Sequence, residues 1–337
     1  MRTLRVTVLL LPVLLLAARE LGAEDRALLV AGVFADSSIV GPVLRFTAGD
    51  PDSSEYSLIL LGGTLDGQWI KHRSRRQAWL LSADVTPFNA HLSNRIYVEG
   101  DRAHELEYEA ASHRVHAGLR FTPNAHSTTD VHLVGLFEQI TDIDDAHVRN
   151  FWEGPFLGVD ASHTYSRVVQ DRPLIASFDG FAVSARVEVF SGPETWSRAT
   201  VSQRSGVQKG KFHFRQSVLA VGGKGLNVVS RVLVGGSWDV LGETALYGHR
   251  FGEFRVARGA LANAGVDYSL PRNWRVGVRG SYLHSDAAHV YGTALNVSKL
   301  RRVLGFNFGV GFPQPRGGES DPVFYLSVIA PLYARGL

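Results

Sequence analysis

The run His91-Leu92-Ser93-Asn94 has residue types and spacing suited to nucleophilic catalysis. Residues two apart on an extended segment point the same way, so His91 would stand beside the Ser93 hydroxyl as its general base. Glu99 or Glu105 would be the third member, orienting the imidazole. That trio would carry out acyl transfer. The faces argue against it. Leu92, Ile96 and Val98 fall on one side of the segment, and His91, Ser93, Arg95 and Glu99 on the other. In a membrane strand the pair would then face away from lipid. Pro87 lies close upstream, so part of the run reads as loop.

The thirteen histidines are scattered, and no metal site is assigned to them. His113 and His116 are three apart, which puts them on opposite faces of a strand and keeps them from sharing an ion. His284-Ser285-Asp286 reads as a turn, and His126 and His132 as solvated residues flanking a polar loop. Gly248, Gly252 and Gly259 serve packing or bends. No helix follows them, so none forms a phosphate cradle, and no cofactor motif is present. The charges that could act together are those sharing one face of alternating segments. The basic ones are Arg114, Arg120, Arg186, Arg215, Arg231, Arg275 and Arg279, and the acidic ones Glu105, Glu107, Glu109, Glu188 and Asp267. They form either a ladder that sets ion preference in a pore or a network of ion pairs that fills a closed barrel.

Strands must position these residues, because the dominant periodicity is two. Phe181, Val183, Ala185, Val187 and Val189 alternate with Ala182, Ser184, Arg186 and Glu188. The same pattern holds at Val115–Phe121, Trp274–Tyr282 and Leu304–Phe312. The apolar face is pure, while the other mixes charge with glycine, as expected for a lipid-facing exterior around a polar lumen. Phe121, Phe156, Phe190, Tyr282 and Phe312 near strand ends fit interfacial girdles. Turn residues divide the chain into 14 to 16 strands, with Thr141–Glu153 and Thr195–Lys209 read as surface loops. The fold class is therefore all-β, a transmembrane antiparallel barrel of about 16 strands over residues 24–337.

Residues 1–23 read as a signal peptide: Arg2 and Arg5, an apolar stretch from Val6 to Ala18, and small residues at Gly22-Ala23. Beyond them no apolar run is long enough for a spanning helix, so a membrane location requires a closed barrel. The destination is the outer membrane, with its lipids and lipopolysaccharide as neighbours. A net charge of +3 spread along the chain leaves no footprint for nucleic acid. The absence of cysteine excludes disulfides and thiolate metal sites.

The order of features from Phe178 onward resembles the barrel of the BamA/TamA superfamily of outer-membrane assembly and secretion proteins. An Asp179-Gly180 turn precedes a strand pair over Phe212–Val221 and Leu226–Gly236. Tyr247-Gly248-His249-Arg250-Phe251-Gly252-Glu253-Phe254-Arg255 follows, then a strand ending Val266-Asp267-Tyr268. A glycine-rich strand, Leu304–Phe312, and an aromatic one, Pro322–Ile329, close the order. The resemblance implies a non-enzymatic barrel acting on unfolded or secreted proteins. It also implies an inward-folded loop carrying an Arg-Gly-aromatic motif ahead of the strand that ends at Tyr268. Here Arg258-Gly259-Ala260 lacks the aromatic and the segment around Arg255 lacks the glycine, and the loop reads as too short to reach deep into the lumen. Strands that begin soon after the leader imply a barrel without periplasmic domains. The His91–Ser93 run is similar to the signature of outer-membrane phospholipase A and lipid A deacylase, whose pair faces lipid. A charge-lined diffusion pore and a lipid hydrolase stand as the alternatives.

Overall fold

The computed structural model describes residues 26–335 apart from 37–39, 51, 62–63, 86–96, 99–100, 103–107, 144–152, 173–176, 228–229, 237–243, 251, 302–303 and 315–320. The first five strands are β1 (Arg26–Asp36), β2 (Val40–Asp50), β3 (Ser54–Leu61), β4 (Thr64–Ser74) and β5 (Gln77–Val85). A two-residue pair follows, β6 (Tyr97–Val98) with β7 (Asp101–Arg102). Next come β8 (Tyr108–Asn124), β9 (Ser127–Ile143), β10 (Gly154–Arg172), β11 (Ser177–Ser191), β12 (Trp196–Lys209) and β13 (Phe212–Lys224). A small hairpin-like pair, β14 (Val232–Val234) with β15 (Phe254–Val256), precedes β16 (Arg258–Leu270). The chain closes with β17 (Trp274–Ser285), β18 (His289–Arg301), β19 (Leu304–Pro313) and β20 (Val323–Arg335).

Sixteen of these strands form one closed antiparallel barrel, each paired with its sequence neighbour. β1 closes on β20 in a register running from Ala27↔Arg335 to Asp36↔Tyr325, with a shift at Leu29/Val30. Closure leaves no unpaired sheet edge, the condition for placing strands in hydrocarbon. The two rims differ. At the rim where β1 starts, two-residue turns suffice at Arg75-Arg76, Ala125-His126 and Gly210-Lys211. The strand ends that flank the long connections, 86–107 and 225–257, lie at the other rim. Short turns on one side and long loops on the other are the usual asymmetry of outer-membrane barrels.

The alternation decides the faces. Val115, Leu133, Val187, Val278 and Leu295 are exposed outward, while the residues beside them, such as His116, Val134, Glu188, Arg279 and Ala294, are buried. Several expected details differ. Thr195–Lys209 is not a loop: Trp196–Lys209 is strand β12, paired with β11 up to Gly206 and with β13 from Ser197 to Lys209. Its Ser, Thr and Gln content hides the period, and pairing on both sides imposes it. Asp179-Gly180 is not a turn either. It lies inside β11 opposite a register shift at Val168/Gln170, with Gly180 at φ 135°. Leu226–Gly236 does not extend a strand pair, because β13 pairs with β16 instead. Phe156 and Phe190 do not join the outer girdle. Both are buried inward with Trp196, whose ring stacks on Phe190 at 4.4 Å. Phe121, Tyr282 and Phe312 do face outward.

Candidate functional site

The lumen holds the candidate site, and its largest charged cluster spans β8 to β12. Glu188 on β11 pairs laterally with Asp160 on β10 and Arg198 on β12, so alternation alone brings the three together. Its carboxylate accepts Arg198 Nε at 2.7 Å and meets Arg186 Nη2 at 3.3 Å and Arg114 Nη1 at 3.5 Å. Arg186 also holds Asp160 through two parallel bonds, Nε to Oδ1 at 2.9 Å and Nη2 to Oδ2 at 2.8 Å. Such forked pairing fixes both partners in angle as well as distance. Glu188 is 1 % exposed, so its charge depends on these arginines rather than on water. Nearer the short-turn rim, Arg120 grips Asp130 with two bonds of 2.8 Å.

A second cluster centres on Asp267 of β16. Arg215 reaches it at 2.8 Å and Arg279 at 2.6 Å, while His213 lies 3.7 Å away and also meets Asp179 at 2.9 Å. Glycine makes this packing possible. A Cβ on Gly277 would collide with the Asp267 carboxylate, and one on Gly265 would stand 2.6 Å from Arg279 Cδ. Arg275 faces the lumen from β17 without an ion pair among the described residues, and Arg231 belongs to a loop rather than to the wall.

The described parts of that loop, residues 225–257, pack inside the lumen. The expectation that it is too short to reach inside is overturned. Val234, Leu246, Phe254 and Val256 of the loop bury themselves against Leu219, Val221, Leu261, Leu283 and Val290, all inward-facing on β13, β16, β17 and β18. Asn227 donates its side-chain amide to Glu138 on β9, at 3.3 Å. The Tyr247 and Gly248 amides donate to Ser281 Oγ on β17, at 3.0 Å, and to the Tyr325 hydroxyl on β20, at 3.1 Å. The loop therefore touches walls from β9 to β20. Gly248, at φ 86°, lets its tip press on the backbone at Phe312. Glu253 then ties the tip, accepting the Arg250 amide at 2.9 Å and meeting His249 Nδ1 at 3.1 Å. The residues nearest to the expected motif sit elsewhere. Arg255 lies on β15, and Arg258 and Gly259 open β16.

His91, Ser93, Glu99 and Glu105 lie outside the described residues. Glu107 does too, and nothing is described of the Glu109 side chain. His132 is corrected: it is not a solvated loop residue but a half-buried one on β9, facing the lumen. Chain spacing could not reveal its neighbours, His116 on β8 and Asp160 on β10, because only strand register brings them side by side. His116 nevertheless points away from His113, as the period of two requires.

No protein-family profile matches the sequence, and no curated protein matches it. Solved structures do. BamA from Haemophilus ducreyi lacking POTRA domains 1–3 aligns with a TM-score of 0.66 at 9% identity, covering 92% of this chain and 71% of that one. CdiB from Acinetobacter baumannii aligns at 0.58 with 11% identity, over 91% of this chain and 60% of that one. CdiB from Escherichia coli aligns at 0.57 with 12% identity, over 90% and 63%. The chain thus spans under two thirds of the CdiB chains it matches. At such identities the likeness is one of fold. What the wall, its two faces and these neighbours establish together is a closed sixteen-stranded outer-membrane β-barrel, similar in fold to BamA and CdiB.

Proposed function

We propose that this chain is a non-enzymatic outer-membrane barrel of the BamA/TamA kind, which handles unfolded or secreted polypeptides at the membrane rather than admitting solutes freely. One observation carries the reading. The loop between β13 and β16 lies inside the lumen, docked on walls from β9 to β20, at the place where the family resemblance implies an inward loop. A barrel with its own main chain packed inside is poorly suited to diffusion and well suited to a gated or assembly role. Outer-membrane lipid and lipopolysaccharide surround it, and residues 1–23 act as its export signal. Depletion in cells tests the reading: levels of other outer-membrane proteins or of a secreted protein fall. Unchanged levels of both would remove it.

A diffusion pore is the second reading, favoured by the charged arc of Arg114, Arg186, Glu188 and Arg198. Planar bilayers separate the two. The assembly reading gives a silent wild-type barrel that conducts once residues 226–256 are replaced by a short glycine-serine link. Steady conductance by the wild type favours the pore.

A further inference from the structure

Three lumen side chains that the ion-pair networks leave incompletely used come from three neighbouring strands. His116 stands on β8, His132 on β9 and Asp160 on β10, and each offers a ligand atom within 4.8 Å of the others. The two imidazoles meet edge to face, with centroids 5.7 Å apart. His116 is only 6 % exposed. Its Nε2 and both ring nitrogens of His132 are buried without a hydrogen-bond partner. His132 Nδ1 has only a long contact to Asp160 Oδ2, at 3.7 Å, and such a contact replaces only part of the water lost on burial. Asp84 on β5 lies 3.4 Å from His116 Nε2, so a second carboxylate borders the same space.

We propose that His116, His132 and Asp160 form a binding site for a late first-row divalent cation of the zinc class, with Asp84 as the fourth ligand or the group that holds His116. Two imidazoles with carboxylate oxygen select zinc, cobalt, nickel or copper over calcium and magnesium, which prefer all-oxygen shells. Tetrahedral zinc at about 2.0–2.1 Å from each ligand sets donors roughly 3.3 Å apart, so the side chains draw in by about an ångström on binding. Arg186 does not compete for the same electrons. Each Asp160 oxygen has a second lone-pair direction free after the forked pair is made, and a carboxylate held by its own hydrogen bonds is a normal outer shell for a metal. Gly118 is part of the design. It lies opposite His132, and a Cβ there would stand 2.2 Å from the Val131 carbonyl oxygen and 2.6 Å from the ring carbon Cδ2, so glycine serves both the close strand approach and the room for the imidazole. The bound ion would bridge β8, β9 and β10 within the charged arc.

The experiment uses the whole barrel, refolded in detergent and stripped with chelator, titrated with Co²⁺ as a spectroscopic probe and with Zn²⁺ by calorimetry. The site predicts one ion per chain, a visible cobalt band that zinc bleaches, and a higher unfolding midpoint with metal than without it. His132→Gln weakens binding at least about 10–100-fold, the loss caused by disturbing even an outer partner of a metal ligand. Its metal-free gel mobility in the folded form stays that of the wild type, which separates loss of the site from loss of the fold. A double variant of the exposed pair His284 and His289, both to alanine, keeps full binding. The proposal is overturned if the wild type binds no stoichiometric ion. It is equally overturned if binding survives His132→Gln or disappears with the His284/His289 variant.

Discussion

The two halves of the lumen are filled by different means. On the wall from β8 to β12, side chains do it: Glu188 gathers Arg114, Arg186 and Arg198, and Asp160 binds Arg186. On the wall from β13 to β18 an apolar loop segment does most of it, with Leu246, Phe254 and Val256 resting on Leu219, Leu261 and Leu283, and only the smaller Asp267 cluster carries charge there. The outward faces of both halves are alike, with Val187 and Val278 equally bare to lipid. The lesson is that lipid dictates the outside uniformly, while the inside is free to choose its filler strand by strand. The charged half uses long strands, 17 residues in β8 and β9 and 19 in β10, and the loop-bearing half uses strands of 12 or 13. A strand of about 9–11 residues already crosses the membrane, so the longer ones extend past it.

The sharpest way to break the charged half is Glu188→Ala. It removes the carboxylate shared by the largely buried Arg114 and Arg198 and by Arg186, which is more exposed and keeps Asp160, and it costs about 3 kcal/mol, the low end of the penalty for removing one partner of a buried ion network. Denaturant unfolding in detergent reads this as a lowered midpoint. One residue earlier, on the opposite face, Val187→Arg tests the uniform exterior. A charge near the bilayer midplane costs about 2–4 kcal/mol in lipid, and the same variant unfolds like the wild type where detergent lets the arginine reach water. A comparison of midpoints in bilayers and in loose micelles checks it. Leu246→Ala addresses the other half and costs the docked loop about 2 kcal/mol, the low end for a buried leucine because a loop can settle into the gap. The loop then becomes sensitive to protease within 225–257 while the barrel stays folded. Asp130→Asn is the mildest change, at or below about 1 kcal/mol, because its pair with Arg120 lies toward the rim and is partly wet. An effect as large as that of Glu188→Ala would show that the arc extends further than described.

Much of the barrel could be read directly from the chain. Phe181–Val189 and Trp274–Tyr282 alternate so cleanly that face and strand follow at once. The misreadings fall where side-chain character and position part company. Trp196–Lys209 is rich in Ser, Thr and Gln and is a strand only because β11 and β13 flank it. Phe156 and Phe190 have the right type for a girdle but the wrong parity, since both fall on the inward register with Glu188 and Asp160. His132 follows a turn and so suggests a solvated position in the sequence, yet the turn at Ala125-His126 is only two residues long and the strand begins at Ser127.

The amino-acid order alone determined that this chain must be a closed β-barrel. A period of two with one greasy face, and no apolar run long enough for a helix, leaves lipid no other way to accept the backbone. Parity, a local property, also assigns a face to charges such as Glu188 and Arg279 within cleanly alternating strands. The tertiary structure decided which charges meet, that His116, His132 and Asp160 converge, and that the described parts of the loop from β13 to β16 turn inward. Such contacts join residues tens of positions apart, and they depend on cross-strand register and on the closure of β1 against β20, neither of which is written in any short stretch of sequence.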